Sequence, residues 1–480
     1  MKTLLKIFFL MAVFSSFSGC NNDEMPGDDL TGINLKKASM PAVFMVEPSE
    51  GDDTPAIMQA FDDAKAAGPG SVVQLVAGEY HLGLIEIRDF YGTFKGAGKD
   101  KTIITAMNNL DAQTLWNKNL QADLVKFVGG DVHLCRFTLQ TSPGPLCVTG
   151  PPAGNIKCLI HFSANNAVYE AGNENRSINV VIDEVRFKGQ PLEGGPGYNM
   201  GYNSWLALTT GWDSRTGSDI PREKIDFKIT NSEFDTFCYG LDLEGMKNGK
   251  IIIGEMNKGN LFSNLDQAGG VWESLDMDVL IEGNTVNVPE FSWGFDLDNY
   301  PYYSNILRPE PQTRNTIFNI QKNVFNLTHS EYALALHDPR RVLDPVEIPL
   351  IYQVKNNQFN MEDGYEWAII SRRTKGMVIR NNMFSGQGDL AIYIVSPWRY
   401  VYNEDGLILG NNFSTAELGT GAVYLSADTR NWTIVGGNIK DKVIDNGTNN
   451  IITGVNVSTS ETPLGRSIAD KLPPMNHIMN

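Results

Sequence analysis

The chain has 480 residues, of which 42 % are hydrophobic and 20 % charged, enough apolar material for a large core. A formal net charge of −17 argues against nucleic acid as a partner, because phosphates are repelled in the absence of a strongly basic face. An acidic sugar stays open, since it needs only a local basic patch or a bridging cation.

The first residues carry an export signal. Lys2 and Lys6 precede an apolar run from Ile7 to Phe14, too short to span a bilayer and suited to a signal-peptide core. It ends at Phe17-Ser18-Gly19-Cys20, which resembles a bacterial lipobox, and Cys20 is the expected lipidation site. Residues 1–19 are thus expected as signal peptide, and residues 20–45 as a polar, acidic tether without core residues. Its start, Asn21-Asn22-Asp23-Glu24, is similar to the surface-export signals of Bacteroidetes lipoproteins. The resemblance implies a protein anchored to the outer membrane by its N-terminal lipid and exposed at the cell surface, with no other membrane contact. Of the remaining cysteines, Cys135, Cys147, Cys158 and Cys238, none has zinc-ligand spacing; buried thiols and a disulfide are both open.

Asp52-Asp53-Thr54 supplies N-cap material for a helix with Ala56, Ile57, Ala60, Phe61 and Ala64 on one face, stopped by Gly68-Pro69-Gly70. Short strands follow: Val72 to Val76, Gly78-Glu79-Tyr80, and Thr102-Ile103-Ile104 after Gly96-Ala97-Gly98. This succession resembles the opening of the pectate-lyase-like superfamily of right-handed parallel β-helices (the pectin lyase fold), in which an amphipathic helix caps the first coil. The resemblance implies an all-β, single-stranded right-handed parallel β-helix with an N-terminal capping helix. It implies little about activity, because that opening serves many chemistries.

The residues downstream lead to the same architecture. A unit of the form apolar-x-x-Asn-x-Phe recurs, with Asn284, Asn323, Asn357, Asn382 and Asn411 in its fourth place and Phe234, Phe262, Val286, Phe325, Phe359, Phe384 and Phe413 in its last. The last places lie 24 to 39 residues apart, the length of one β-helix coil with variable loops. No helical pattern interrupts the strands after residue 70, which disfavours a doubly wound sheet. The β-helix is expected over 46–456, with 457–480 as a tail or cap.

Each unit is followed by a second strand: Gly240 to Glu244, Gly294 to Asp298, Ala333 to His337, Ala368 to Arg372, Ala391 to Val395 and Ala422 to Ser426. Alternation with Leu241, Leu243, Phe295, Leu297, Leu334 and Leu336 inside leaves two outward columns. One is Asp242, Asp296, Ala335, Ile370, Tyr393, Tyr424; the other is Glu244, Asp298, His337, Arg372, Val395, Ser426. In the coil between Asp242 and Asp296, a register with Trp272 inside and Glu273 outside avoids burying a carboxylate. The columns then form a carboxylate cluster of Asp242, Glu244, Glu273, Asp296 and Asp298, bordered by His337, Arg372 and Arg373.

Asp242, Glu273, Asp296, Asp298, His337 and Arg372 are the candidate catalytic residues. Glu244, Tyr300, Tyr302, Arg340, Arg373, Tyr393 and Tyr424 are the candidate substrate-binding residues, with rings to stack on sugars and arginines to take an acidic group. The polygalacturonase motif set and the arginine motif of the commonest pectate lyases are both absent, so no catalytic residue is carried over from those families. Three readings remain, all with a polysaccharide or oligosaccharide partner. The first is a glycoside hydrolase with paired carboxylates and no cofactor. The second is a lyase with Ca²⁺ held by Asp242, Glu273 and Asp296. The third is a non-catalytic glycan-binding or structural β-helix.

Overall fold

A computed structural model describes residues 41–107, 123–141, 158–164, 176–189, 206–211, 222–290, 292–298, 313–338, 350–362, 367–395, 402–437, 443–454 and 457–458. All belong to one compact unit, Pro41–Asn480. The signal segment, Cys20, Cys147 and most of the expected tether lie outside the described residues. The first strand, Val43–Val46, pairs in parallel with Ser71–Leu75, so the sheet already begins inside the segment expected as tether.

The helix Thr54–Ala67 is the one α-helix among the described residues. It buries Ile57, Ala60, Phe61 and Ala64, while Ala56 is exposed. The ring of Phe61 lies 5.0 Å from that of Phe90 and 5.1 Å from that of Phe94, tying the helix to the first coils. Asp53 makes no side-chain cap bond; its carboxylate accepts from the backbone N–H groups of Ser49 and His81, while Asp52 accepts from that of Thr54.

Every strand pairing among the named elements is parallel, and successive coils stack in three ladders, the fold of a right-handed parallel β-helix. The first ladder runs from Val43–Val46 through Lys224–Thr230 to Ile451–Thr453. The second carries the phenylalanine positions, and the third carries the strands with outward carboxylates. Between the first two the backbone turns sharply through residues with positive φ, such as Asn231, Gly283, Lys322, Asn356, Asn381 and Gly410. After all of these but Asn231, which Ser232 follows, comes a buried asparagine. Asn260, Asn284, Asn323, Asn357, Asn382 and Asn411 form a ladder in which each side-chain amide donates to the next carbonyl Oδ1 at 2.9–3.0 Å. The expected asparagine stack is therefore present, with Asn260 of the Asn260-Leu261-Phe262 copy as its first member.

Inside, the rings of Phe325, Phe359, Phe384 and Phe413 stack at 5.1, 4.9 and 4.6 Å, as the repeat predicts. Val286 interrupts the column, and Phe295 packs edge-on against Phe262 and Phe325 on either side of that gap. Cys135 is a buried free thiol, raised to about 11 by burial, and the Cys158 thiol donates to the Ile160 carbonyl at 2.9 Å.

Candidate functional site

The third ladder places the outward residues in rows. Thr209, Asp242, Gly270, Asp296, Ala335, Ile370, Tyr393 and Tyr424 are partners across successive strands. Two residues further along, Glu244 pairs with Trp272, and His337 with Arg372 and then Val395; Asp298 follows directly on Leu297. Leu241, Leu243, Phe295, Leu297, Leu334 and Leu336 are buried inside. The expected columns are thus reproduced everywhere except in the coil containing Glu273.

There the expectation of an outward Glu273 and an inward Trp272 is corrected. Gly270, not Glu273, occupies the slot between Asp242 and Asp296; Val271 is inside, and Trp272 pairs with Glu244 on the outer face. Glu273 lies past the strand end at φ 51°, in the turn position that Gly245 fills in the preceding coil and Arg373 in a later one. A left-handed turn residue escapes the period-two rule, so the assumed choice between inside and outside did not apply. Glu273 is 1 % exposed, and its backbone carbonyl accepts from the Arg222 guanidinium at 2.6 Å. Among the described residues no three acidic, His or Cys side chains stand close enough to hold a cation, and Asp242, Glu273 and Asp296, the Ca²⁺ trio of the alternative lyase reading, do not form such a group.

The centre of the site is Asp296. Its side chain keeps 18 % exposure, and His337 Nε2 lies 3.4 Å from its Oδ1. Burial raises the Asp296 carboxyl to about 7, against the opposing pull of the Arg372 guanidinium. Burial, with Arg372 and Arg373 adding positive charge nearby, holds His337 well below its usual value and therefore neutral. Nδ1 of His337 is buried and has no hydrogen-bond partner among the described residues. Asp242 accepts a bond from Thr209 Oγ1 at 3.2 Å. Beneath the site the buried Tyr352 hydroxyl reaches the carbonyls of Leu297 (2.8 Å) and His337 (2.6 Å), joining the backbones of both site strands.

Other expected binding residues fare differently. Tyr393 is 2 % and Tyr424 9 % exposed, packed with Ala335, Ile370, Leu390 and Ile444 in a small apolar cluster. Their row is polar at one end and greasy at the other, and the greasy end closes on itself. They are therefore not exposed sugar platforms. Arg373 is 5 % exposed in its left-handed turn, whereas Arg372 is half-buried beside His337. Tyr300, Tyr302 and Arg340 lie outside the described residues.

Two features escaped the sequence reading. One is a register line of half-buried rings at the strand starts, Tyr239, Trp293, Tyr332 and Trp367, with Trp293 and Tyr332 stacked at 6.1 Å. Its signal is a repeated aromatic-small pair: Tyr239-Gly240, Trp293-Gly294, Tyr332-Ala333 and Trp367-Ala368. The other is a buried His161, one strand beyond Thr209, with Nδ1 2.7 Å from Asp123 and Nε2 2.8 Å from the Gly211 carbonyl. Asp123 and His161 are 38 residues apart, so no local motif announces the pair.

No protein-family model matches the chain, and no curated protein is similar to it in sequence. Its backbone is similar to several solved structures. One is the catalytic domain of a GH87 α-1,3-glucanase in complex with tetrasaccharides, 11 % identical, TM-score 0.46, covering 86 % of this chain and 71 % of that one. Another is the pre-mature gene product 12 of bacteriophage phi29, 12 % identical, TM-score 0.48, covering 85 % and 54 %. A third is a polygalacturonase from Erwinia carotovora ssp. carotovora, 12 % identical, TM-score 0.42, covering 90 % and 100 %.

Proposed function

We propose that the protein is an extracellular glycoside hydrolase in which Asp296 is the general acid and Asp242 the general base. The observation that carries this reading is the pairing of Asp296, its carboxyl raised to about 7, with a neutral His337, two strands from Asp242 on one sheet face. A carboxyl that keeps its proton near neutral pH can give it to a departing glycosidic oxygen. His337, being neutral, adds no positive charge that would strip that proton. Two strand spacings of ~4.8 Å put the Asp242 and Asp296 backbones about 9.6 Å apart. This suits an inverting mechanism, whose carboxyl groups stand ~6.5–9.5 Å apart with room for a water. Asp242 takes a proton from that water as it attacks the anomeric carbon, while Asp296 protonates the leaving oxygen.

Arg372, half-buried at the far end of the site, favours a substrate with a carboxylate or sulfate nearby. The same neutral His337 beside Arg372 also suits a lyase, with His337 as the base that removes a proton from a uronate. Release of reducing ends from a panel of neutral and acidic glycans tests the hydrolase reading. Ultraviolet absorbance from unsaturated uronates identifies the lyase instead, and silence in both assays across the panel rejects either. Export and lipid anchoring through Cys20 belong to this reading and rest on the lipobox-like segment alone.

A further inference from the structure

The slot between the two carboxylates is filled by a ring. A Cβ on Gly270 would lie 2.1, 2.2 and 2.6 Å from Cζ2, Cε2 and Cη2 of Trp272. An atom meeting the ring edge-on at Cζ2 would be about 3 Å from both neighbouring carbons, so the indole lies face-down on Gly270. Glycine is required there by the close approach, since its φ is not in the left-handed region. The Tyr239 ring stands perpendicular to the indole at 6.2 Å. Trp272 is half-buried, and its indole nitrogen is shielded from solvent yet has no hydrogen-bond acceptor among the described residues. Gly270 is flanked in register by Asp242 and Asp296, and His337, 94 % buried with Nδ1 unpartnered, stands against Asp296.

We infer that the outer face of the Trp272 indole is the floor of a sugar subsite that takes a neutral pyranose, with Asp242 and Asp296 reaching its hydroxyls and glycosidic oxygens from either side. This rests on the reading of the site as carbohydrate-active and adds which ring sits where. A flat indole offers a large rigid apolar surface for the C–H face of a pyranose. Asp242, Glu244 and Asp298 lie in the two rows around it, so a uronate carboxylate at this position meets like charge. An acidic substituent on the substrate belongs one or more sugars away, toward Arg372.

The test compares parent, Trp272→Ala, Trp272→Phe and Gly270→Ala in the full-length protein. Probes are soluble neutral glucans, mannans and xylans beside polygalacturonate and alginate, with affinity read by titration calorimetry and turnover by reducing ends. Trp272→Ala weakens binding of the neutral glycan by tenfold or more, Trp272→Phe restores part of it, and Gly270→Ala, which displaces the indole without removing it, behaves like Trp272→Ala. Circular dichroism matching the parent certifies the fold, and the phenylalanine variant carries the test if the alanine variant does not fold. Unchanged neutral-glycan affinity in folded Trp272→Phe and Gly270→Ala overturns the subsite, as does a parent that binds only the uronate polymers. In either case, loss of turnover in Asp296→Asn would leave the hydrolase reading standing. Absence of binding and turnover in the parent with every probe removes both.

Discussion

In the proposed mechanism Asp296 couples the chemistry of the site to the stability of the fold. In the unfolded chain its carboxyl returns to the ordinary range near ~3.9; in the folded protein it titrates at about 7. Between these values the folded state binds more protons than the unfolded one, so this group's contribution falls as pH rises through that window and is level above it. Asp296→Asn removes the slope. Melting temperatures of parent and variant should therefore converge in acid, separate as pH rises toward about 7 and keep a constant difference above it, with the variant higher by on the order of 1 kcal/mol in stability. The same substitution removes the transferable proton, and turnover should drop ~10²–10⁴-fold. Parent activity should decline as pH rises past about 7, where Asp296 loses its proton. A pH–rate profile beside two melting curves checks all of this. Tyr352→Phe makes a separate prediction: its ring stays on Phe318, 4.9 Å away, but the bonds to the Leu297 and His337 carbonyls are lost. Stability should fall by about 1 kcal/mol. Turnover should fall with KM little changed, since the proposed acid Asp296 and its neighbour His337 loosen while Trp272 stays in place.

At the scale of elements, the asparagine ladder holds the coils in register. Asn357 accepts from the backbone and side chain of Asn323 and donates to Asn382 and the Ile320 carbonyl. Asn357→Ala leaves buried donors of Asn323 without an acceptor, each costing ~1–3 kcal/mol. A loss of about 3 kcal/mol is expected, read from the midpoint of urea denaturation with an unchanged slope. The ladder was legible because its spacing recurs with a fixed Asn-x-Phe core. The coil of Trp272 departs from the expected register because the cost of burying a carboxylate does not by itself fix its strand: Glu273 is buried in a left-handed turn. The turn slots Gly245, Glu273 and Arg373, aligned with one another, place Trp272 beside Glu244. Only one of these three slots holds glycine, so the signal is weak in one sequence.

At the scale of the whole molecule, three parallel ladders share one interior, and a charge introduced there has no solvent to reach. Phe359 lies between the rings of Phe325 and Phe384. Phe359→Asp should prevent folding, because an unpaired buried carboxylate consumes much of a stability of ~5–15 kcal/mol. Loss of the β-type circular dichroism signal and of soluble expression are the readouts. Cys20→Ser tests the proposed anchor: a lipid-modified parent partitions into detergent, and the variant should remain in the aqueous phase.

The sequence by itself determined the architecture, the inward and outward faces of most strands, and the convergence of Asp242, Asp296 and His337. Each of these follows from a periodicity that repeats from coil to coil, so an error in one unit is corrected by its neighbours. Only the tertiary structure decided which outward residues are buried. Tyr393 and Tyr424 obey the alternation and are still covered, because burial depends on what packs against a face rather than on which face a residue occupies. It also decided that Trp272 folds back over Gly270, a contact between two residues of one strand that no repeat encodes. The acidity of Asp296 is of the same kind. It is set by the burial around the carboxyl and by an arginine from a strand two coils away, distances that the order of residues along the chain does not contain.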